Sequence, residues 1–344
     1  MLRNMPFRRA KQSAALKWII GGVVLCTCVL IAEVLVHIRK NMSLREEVLK
    51  MQRSNDSHLS QVSNNKIFSV DVLPRSLKEE RQFVSKGTAN FGVLSRDGAE
   101  VAFSYCAEPG FTHPSPNVTD CPAGNLHLGI VRPDGSGFLE YNNWTSPYGM
   151  CWSHDKSKLA LAVSDTSIGK PNGHRLVILD RNSGTLREVA GDYPSTSSEC
   201  WSPDDKRIVF TENKVGGIQN VLIFNWEQGK MQYLVRGSGA SWSPEGSLIA
   251  FSNSPDSYST IRPDGTGEKL LFSTTVGGSE LWWSPDSQYV AYVSARGFFE
   301  RWPDEYFIEL RRLRIRRLKD GAEDWLLNLS TSDPIDFQWV TPKF

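Results

Sequence analysis

Residues 200–210 read CWSPDDKRIVF, and close copies stand at 241–251 (SWSPEGSLIAF) and 282–292 (WWSPDSQYVAY). Aligned on the tryptophan, a further copy begins WSHDKS at Trp152. The set Trp152, Trp201, Trp242 and Trp283 is then spaced 49, 41 and 41 residues apart. A weaker copy precedes them with Leu94 in the tryptophan slot (LSRDGAEVAFS, 94–104), and a truncated one closes the chain (QWVTPKF, 338–344). A period near 40–50 residues marks a repeat architecture, and the copies are too rich in β-formers for a helical solenoid. Six units of about 45 residues need about 270, and residues 66–344 supply 279.

Each unit divides into four strands. In the third copy these are SSECW (197–201), KRIVFTE (206–212), IQNVLIFNW (218–226) and KMQYLVR (230–236). The SPDD between the first two is a tight turn. Pro203 presets φ, Asp204 can bond nearby backbone, and the next slot tolerates a left-handed conformation as Asp, Gly or Ser. Pro244 and Pro285 repeat the pattern, whereas the second copy has His154 in the proline slot. RPDGSG (132–137) and RPDGTG (262–267) serve as turns between third and fourth strands. The fold expected is all-β: a closed propeller of about six four-stranded blades, with five also possible, preceded by one transmembrane helix. KIFSVDVLP (66–74) is expected to supply outer strand to the last blade, because closure from both termini removes free edges.

These phrases resemble the TolB-type, WD-repeat-like β-propeller family, whose repeats carry a W-S-P-D-G-k-x-I-A-F phrase. The resemblance covers about residues 85–344 and is strongest in the four central copies. It implies a fold and no single activity, since that fold hosts many unrelated functions.

The chain has 344 residues, 40% hydrophobic, and a formal net charge of +1, so overall charge gives no reason to expect a nucleic-acid partner. Trp18 to Ile38 (WIIGGVVLCTCVLIAEVLVHI) is long and apolar enough to cross a bilayer. It exceeds the apolar region of a cleaved signal peptide and ends in bulky residues. The expected organisation is a cytoplasmic tail (1–17), a membrane span (18–38), a polar stem (39–65) and the propeller (66–344). Basic residues are balanced across the span, so orientation rests on the following domain, with its cysteines and its N-x-S/T sequons at Asn41, Asn55, Asn117, Asn143 and Asn328. That places the propeller outside the cytosol, at the cell surface, in the secretory lumen or in a bacterial periplasm.

Tryptophans and SPD turns are assigned to blade packing and turn geometry. Function is then expected on the opposite side, among long loops that do not repeat. One such loop, CAEPGFTHPSPNVTDC, is bracketed by Cys106 and Cys121, a pair suited to a disulfide in an oxidising compartment. Cys151 and Cys200 share the slot before tryptophan, either as small core residues or as a second disulfide. The stretch ARGFFERWPDEY (295–306) reads as a loop offering Phe298, Phe299 and Trp302 to a protein or sugar. In ELRRLRIRRLK (309–319), Arg312, Arg314 and Arg316 alternate with Leu313 and Ile315. This is a strand with one basic face, either solvated or an anion-binding stripe.

Catalytic residues are not assigned: no G-x-S-x-G, HExxH, P-loop or G-x-G-x-x-G phrase occurs, and no metal or cofactor site is expected. The reading is a single-pass, non-catalytic propeller that binds or scaffolds a protein or glycan. The alternatives are a propeller lyase or glycosidase acting at the channel mouth, a regulatory propeller of the prolyl-oligopeptidase kind without its hydrolase domain, and a purely structural envelope protein.

Overall fold

Every described copy of the repeated phrase turns the corner between an inner strand and its neighbour in a computed structural model of the chain. The structure describes residues 30–50, 58–63, 66–71, 76–82, 89–106, 126–141, 147–164, 174–190, 194–196, 200–214, 216–254, 256–274, 281–301, 305–329 and 337–340. Residues 30–50 form a helix, and every other described element is a strand.

Hydrogen bonding separates five sheets of a β-propeller. The first contains β1 (His58–Ser63), β2 (Lys66–Asp71) and β3 (Ser76–Gln82). It continues through β4 (Ala89–Leu94), β5 (Val101–Cys106), β6 (Leu126–Val131) and β7 (Leu139–Tyr141). Four-stranded blades follow. One is β8 (Pro147–Trp152), β9 (Lys158–Ser164), β10 (His174–Asp180) and β11 (Leu186–Ala190). The next is β12 (Pro194–Ser195), β13 (Arg207–Lys214), β14 (Ile218–Asn225) and β15 (Lys230–Arg236). Then come β16 (Ser238–Trp242), β17 (Ile249–Ser254), β18 (Ser257–Ile261) and β19 (Lys269–Ser273). The last blade is β20 (Leu281–Trp283), β21 (Tyr289–Arg301), β22 (Glu305–Arg317) and β23 (Glu323–Leu329). The final strand, β24 (Gln338–Val340), joins the first sheet and makes it eight-stranded. About six blades were expected, with five also possible, and among the described residues the separate sheets number five.

The ends of the propeller pair with each other. In β1 and β24, His58 faces Val340, Leu59 faces Trp339 and Ser60 faces Gln338, antiparallel. β2 follows next to β1, so the stretch at 66–74 does sit in a sheet completed by the C-terminal strand. The first strand, however, begins at His58, inside the segment expected to be a polar stem, and residues 39–50 continue the helix. Of the expected span, residues 18–29 lie outside the described residues. Among the described residues no helix is long and apolar enough to cross a membrane.

Serine is the constant member of the corner. Ser95, Ser153, Ser202, Ser243 and Ser284 are all essentially fully buried. Each hydroxyl accepts the N–H of the residue five positions on, at 2.9–3.0 Å, closing the turn. Four of them also donate to the aspartate two residues on: Asp97, Asp155, Asp204 and Asp286. The carboxylate thus orients the hydroxyl, and the hydroxyl satisfies a backbone donor that the turn would leave unpaired.

The slot after the acidic residue is left-handed throughout, with φ of 67° at Gly98, 60° at Lys156, 54° at Asp205, 74° at Gly246 and 56° at Ser287. A side chain there costs about 1–2 kcal/mol, and each of the three non-glycine residues returns a bond to the preceding unit. Lys156 Nζ lies 2.9 Å from Asp97. The Asp205 carboxylate accepts the N–H groups of His154 at 2.7 Å and Asp155 at 2.9 Å. The Ser287 hydroxyl donates to Glu245. Hydrogen bonds to charged groups are worth about 1.5–3 kcal/mol, which is enough to offset the strain.

Apolar clusters run from each sheet to the next. Cys151, Leu176 and Ile178 pack with Trp201, Ile208 and Phe210. Val209, Val221 and Leu234 pack with Trp242, Ile249 and Phe251. Each second strand is buried on both faces, which explains its nearly continuous apolar run. The indoles stitch the same joints: Nε1 of Trp152 donates to the Val93 carbonyl, Trp201 to Cys151 and Trp339 to Trp282, at 3.2, 3.2 and 3.4 Å.

Two outcomes follow from these contacts. Ser202→Ala leaves the buried Arg207 N–H without its acceptor and should lower unfolding free energy by about 1–3 kcal/mol in urea titration, whereas Ser247→Ala, at an exposed position of a neighbouring corner, should change it by less than about 0.5 kcal/mol. Ending the chain before Gln338 removes the partner of β1 and should produce aggregates by size exclusion; a monodisperse, stable product would contradict the pairing.

Candidate functional site

The repeated corners converge on one cavity of about 60 Å³. Its lining takes the same slots from successive units: Leu94 and Arg96, then Trp152, Ser153 and His154, then Trp201 and Pro203. Trp242, Ser243 and Pro244, Trp283 and Pro285, and finally Gln338 and Trp339 complete it. Equivalent positions from units around a ring meet at its axis, so this is the axial mouth on the side of the first turns. The sequence reading assigned this side to construction and sought function opposite.

The lining hydroxyls are committed to the architecture. Ser153 bonds Asp155 and the Lys158 carbonyl, and Ser243 bonds the Leu248 carbonyl. Gln338 donates its amide to the Leu94 carbonyl at 3.0 Å. His154 holds its Nδ1 3.1 Å from Asp205 Oδ1, so the carboxylate that ties two corners together also orients this ring. The five lining indoles are almost wholly buried, so what faces the cavity is a near-even mix of polar and apolar surface, with three prolines among its residues. Arg96 and His154, which occupy proline slots in adjacent units, interrupt that collar.

Four of the corner carboxyls are held ionised. Burial alone would raise the pKa of Asp97, but bonds from Lys156, the Ser95 hydroxyl and the Ala99 N–H outweigh it and hold the carboxyl at about 2. In Asp155, Asp204 and Glu245 burial again opposes ionisation and hydrogen bonds prevail, so all three lie below their ordinary range.

Cys151 and Cys200, on adjacent blades, form a disulfide with Cα atoms 5.9 Å apart, which settles the alternative left open by the sequence. Closing a loop across 49 positions stabilises by about 4 kcal/mol on the chain-entropy model. Cys106 is also disulfide-bonded; its expected partner, Cys121, lies outside the described residues.

Among the described residues, the other expected site residues are not in the lining of the cavity. Phe298 and Phe299 belong to a long hairpin rather than a loop: β21 pairs with β22 over 13 residues, with Phe298 opposite Ile308 and Phe299 opposite Phe307. Trp302 lies outside the described residues. The basic face of β22 is internally occupied. Arg314 and Arg316 share the Glu323 carboxylate at 2.7 and 3.1 Å, and Glu323 also accepts the Tyr292 hydroxyl at 2.6 Å. Burial first, then the Glu323 charge, pushes the Tyr292 hydroxyl far above its ordinary range. Arg316 stacks on Phe272 and Arg312 on Trp325. Asn328 is exposed on β23, while Asn55, Asn117 and Asn143 lie outside the described residues.

No protein-family model matches the chain, and no curated protein matches it by sequence. Solved structures do. A protein assigned as TolB in Agrobacterium tumefaciens is similar over 80% of this chain and 89% of its own, at 16% identity and a TM-score of 0.55. TolB from Acinetobacter baumannii is similar over 83% of this chain and 66% of its own, at 14% identity and a TM-score of 0.57. A chain in the crystal structure of a nidogen/laminin complex is similar over 83% of this chain and 98% of its own, at 10% identity and a TM-score of 0.56. The fold is a TolB-like β-propeller. At these identities the likeness extends to fold alone.

Acid titration tests the corner network. A carboxylate with a depressed folded pKa contributes stability that is complete above its unfolded value and lost as pH falls through its folded one. For Asp97 that window runs from 3.8 down to about 2. Thermal midpoints should fall steeply across it, and Asp97→Asn should lower the midpoint at pH 7 while flattening the fall. Parallel curves for the two proteins would contradict the assignment.

Proposed function

We propose that this chain is a membrane-anchored, non-catalytic propeller that receives a protein or glycan partner outside the cytosol at its axial mouth. The observation that carries this reading is the state of the cavity lining. Its hydroxyls and amide are spent on the corners, which leaves a small recess of mixed polar and apolar surface suited to binding. Such a recess with a few placed polar groups is the usual form of a recognition site.

The anchor is the span 18–38, followed by residues that continue as helix. Leu30, Ile31, Val34, Leu35, Val36 and Ile38 are each about half exposed along its described part, as expected of a helix whose natural surroundings are lipid. The Cys151–Cys200 disulfide suits an oxidising compartment. Sequons such as the exposed Asn328 would carry glycans if that compartment is the secretory lumen. We also read the eight-stranded sheet as two blades, giving six in all. The ladder between β1 and β4 has a single residue pair, Val62 with Gly92, whereas β24, β1, β2 and β3 form a complete set of four.

Two measurements test this reading. Protease added to intact membranes should digest the propeller, and full protection would contradict the topology. A partner identified by proximity labelling should be captured by the full-length chain and lost on Pro244→Arg, which fills the mouth. Unchanged capture by a variant with an unchanged melting midpoint would reject the axial site.

A further inference from the structure

We propose that the axial mouth recognises the free carboxyl terminus of a polypeptide ending in an apolar residue, with Arg96 as the carboxylate contact. This inference rests on the binding function proposed above and names the chemistry of that same site.

Size limits the occupant first. A water needs roughly 10–15 Å³ of such volume, so a cavity of about 60 Å³ holds one side chain rather than a folded element. Lining chemistry limits it next. Pro203 and Pro244, seated over the nearly buried indoles of Trp201, Trp242 and Trp283, supply its apolar part, and the Ser153 and Ser243 hydroxyls are already bonded within their own turns. A sugar needs several unspent donors and acceptors, and this lining supplies few. An apolar side chain needs none.

Charge then fixes which end of a chain fits. Charged groups near the mouth are mostly engaged: Lys156 with Asp97, Arg181 with Glu100 and over the Trp152 ring, Arg207 over the Trp242 ring, while the corner carboxylates Asp97, Asp155, Asp204 and Glu245 each accept a serine hydroxyl. Arg96 lines the cavity, is exposed, and makes no ion pair or side-chain hydrogen bond among the described residues. It occupies a slot where three other units have proline, next to the unit whose slot holds His154. One side of the collar therefore carries an exposed positive charge. A terminal residue carries its apolar side chain and its carboxylate on one Cα, and so presents to this site a body for the recess and an anion for that charge. Guanidinium–carboxylate pairing is the strongest hydrogen-bonded match available to it.

The experiment uses the full-length chain in detergent and a fluorescein-labelled Gly-Ser-Gly-Ser-Phe peptide, as the free acid and as its carboxamide, read by anisotropy. The free acid should bind about tenfold or more tightly than the amide. Arg96→Gln should bring the acid down to the level of the amide while leaving the melting midpoint unchanged. Equal binding of acid and amide, absence of binding by either, or unaltered discrimination in Arg96→Gln would overturn the proposal. Competition by a glucuronic-acid oligosaccharide that displaces the acid peptide more strongly than unlabelled peptide would overturn it in favour of a glycan. If partner capture is lost on Pro244→Arg but not on Arg96→Gln, the axial binding function stands and this inference falls.

Discussion

A ring of blades closes only when strands from its two ends meet, and here that condition rests on three residue pairs between β1 and β24. β24 is three residues long and cannot form a blade alone. By pairing with β1 it completes a set with β2 and β3, so an innermost strand from one end of the chain is backed by strands from the other. Everything inward of that joint depends on it. Trp339 reaches the Trp282 carbonyl, Gln338 reaches the Leu94 carbonyl, and both side chains line the axial cavity.

The corners show how a repeated phrase can serve construction and recognition together. The serine closes each turn, the aspartate orients the serine, and the left-handed residue ties its corner to the preceding one. These bonds consume the polar groups of the phrase. The tryptophan and proline are then left facing the axis, where identical slots from successive units face one another. The composition of the mouth is therefore a consequence of how the ring is fastened. The two proline slots filled by Arg96 and His154 are the positions where this consequence is relaxed, and both fall in neighbouring units.

Much of this was legible in the sequence because it depends on local spacing. The tryptophan period gave the units, and Pro203, Asp204 and Asp205 announced a turn with a left-handed slot. The serine was overlooked although it persists in LSRDG, where tryptophan and proline are both missing. That persistence was the available signal. What stayed hidden depends on contacts remote in sequence. Phe298 and Phe299 look like loop residues until the register with Ile308 and Phe307 extends the hairpin through them. The arginines of β22 look like an open basic stripe until Glu323 and Tyr292 are placed against them. The axial cavity exists only once the corners of distant units converge, and no single copy of the phrase reveals it.

The closure of the ring is tested most directly by a cross-strand bond. Ser60 and Gln338 face each other in the β1–β24 pair, so a variant carrying Ser60→Cys and Gln338→Cys, oxidised under native conditions, should form an intramolecular disulfide. Non-reducing electrophoresis and peptide mapping should show a monomer with those two positions linked and a raised melting midpoint. A protein that gives only intermolecular dimers, or leaves both thiols free while folded, would contradict the account.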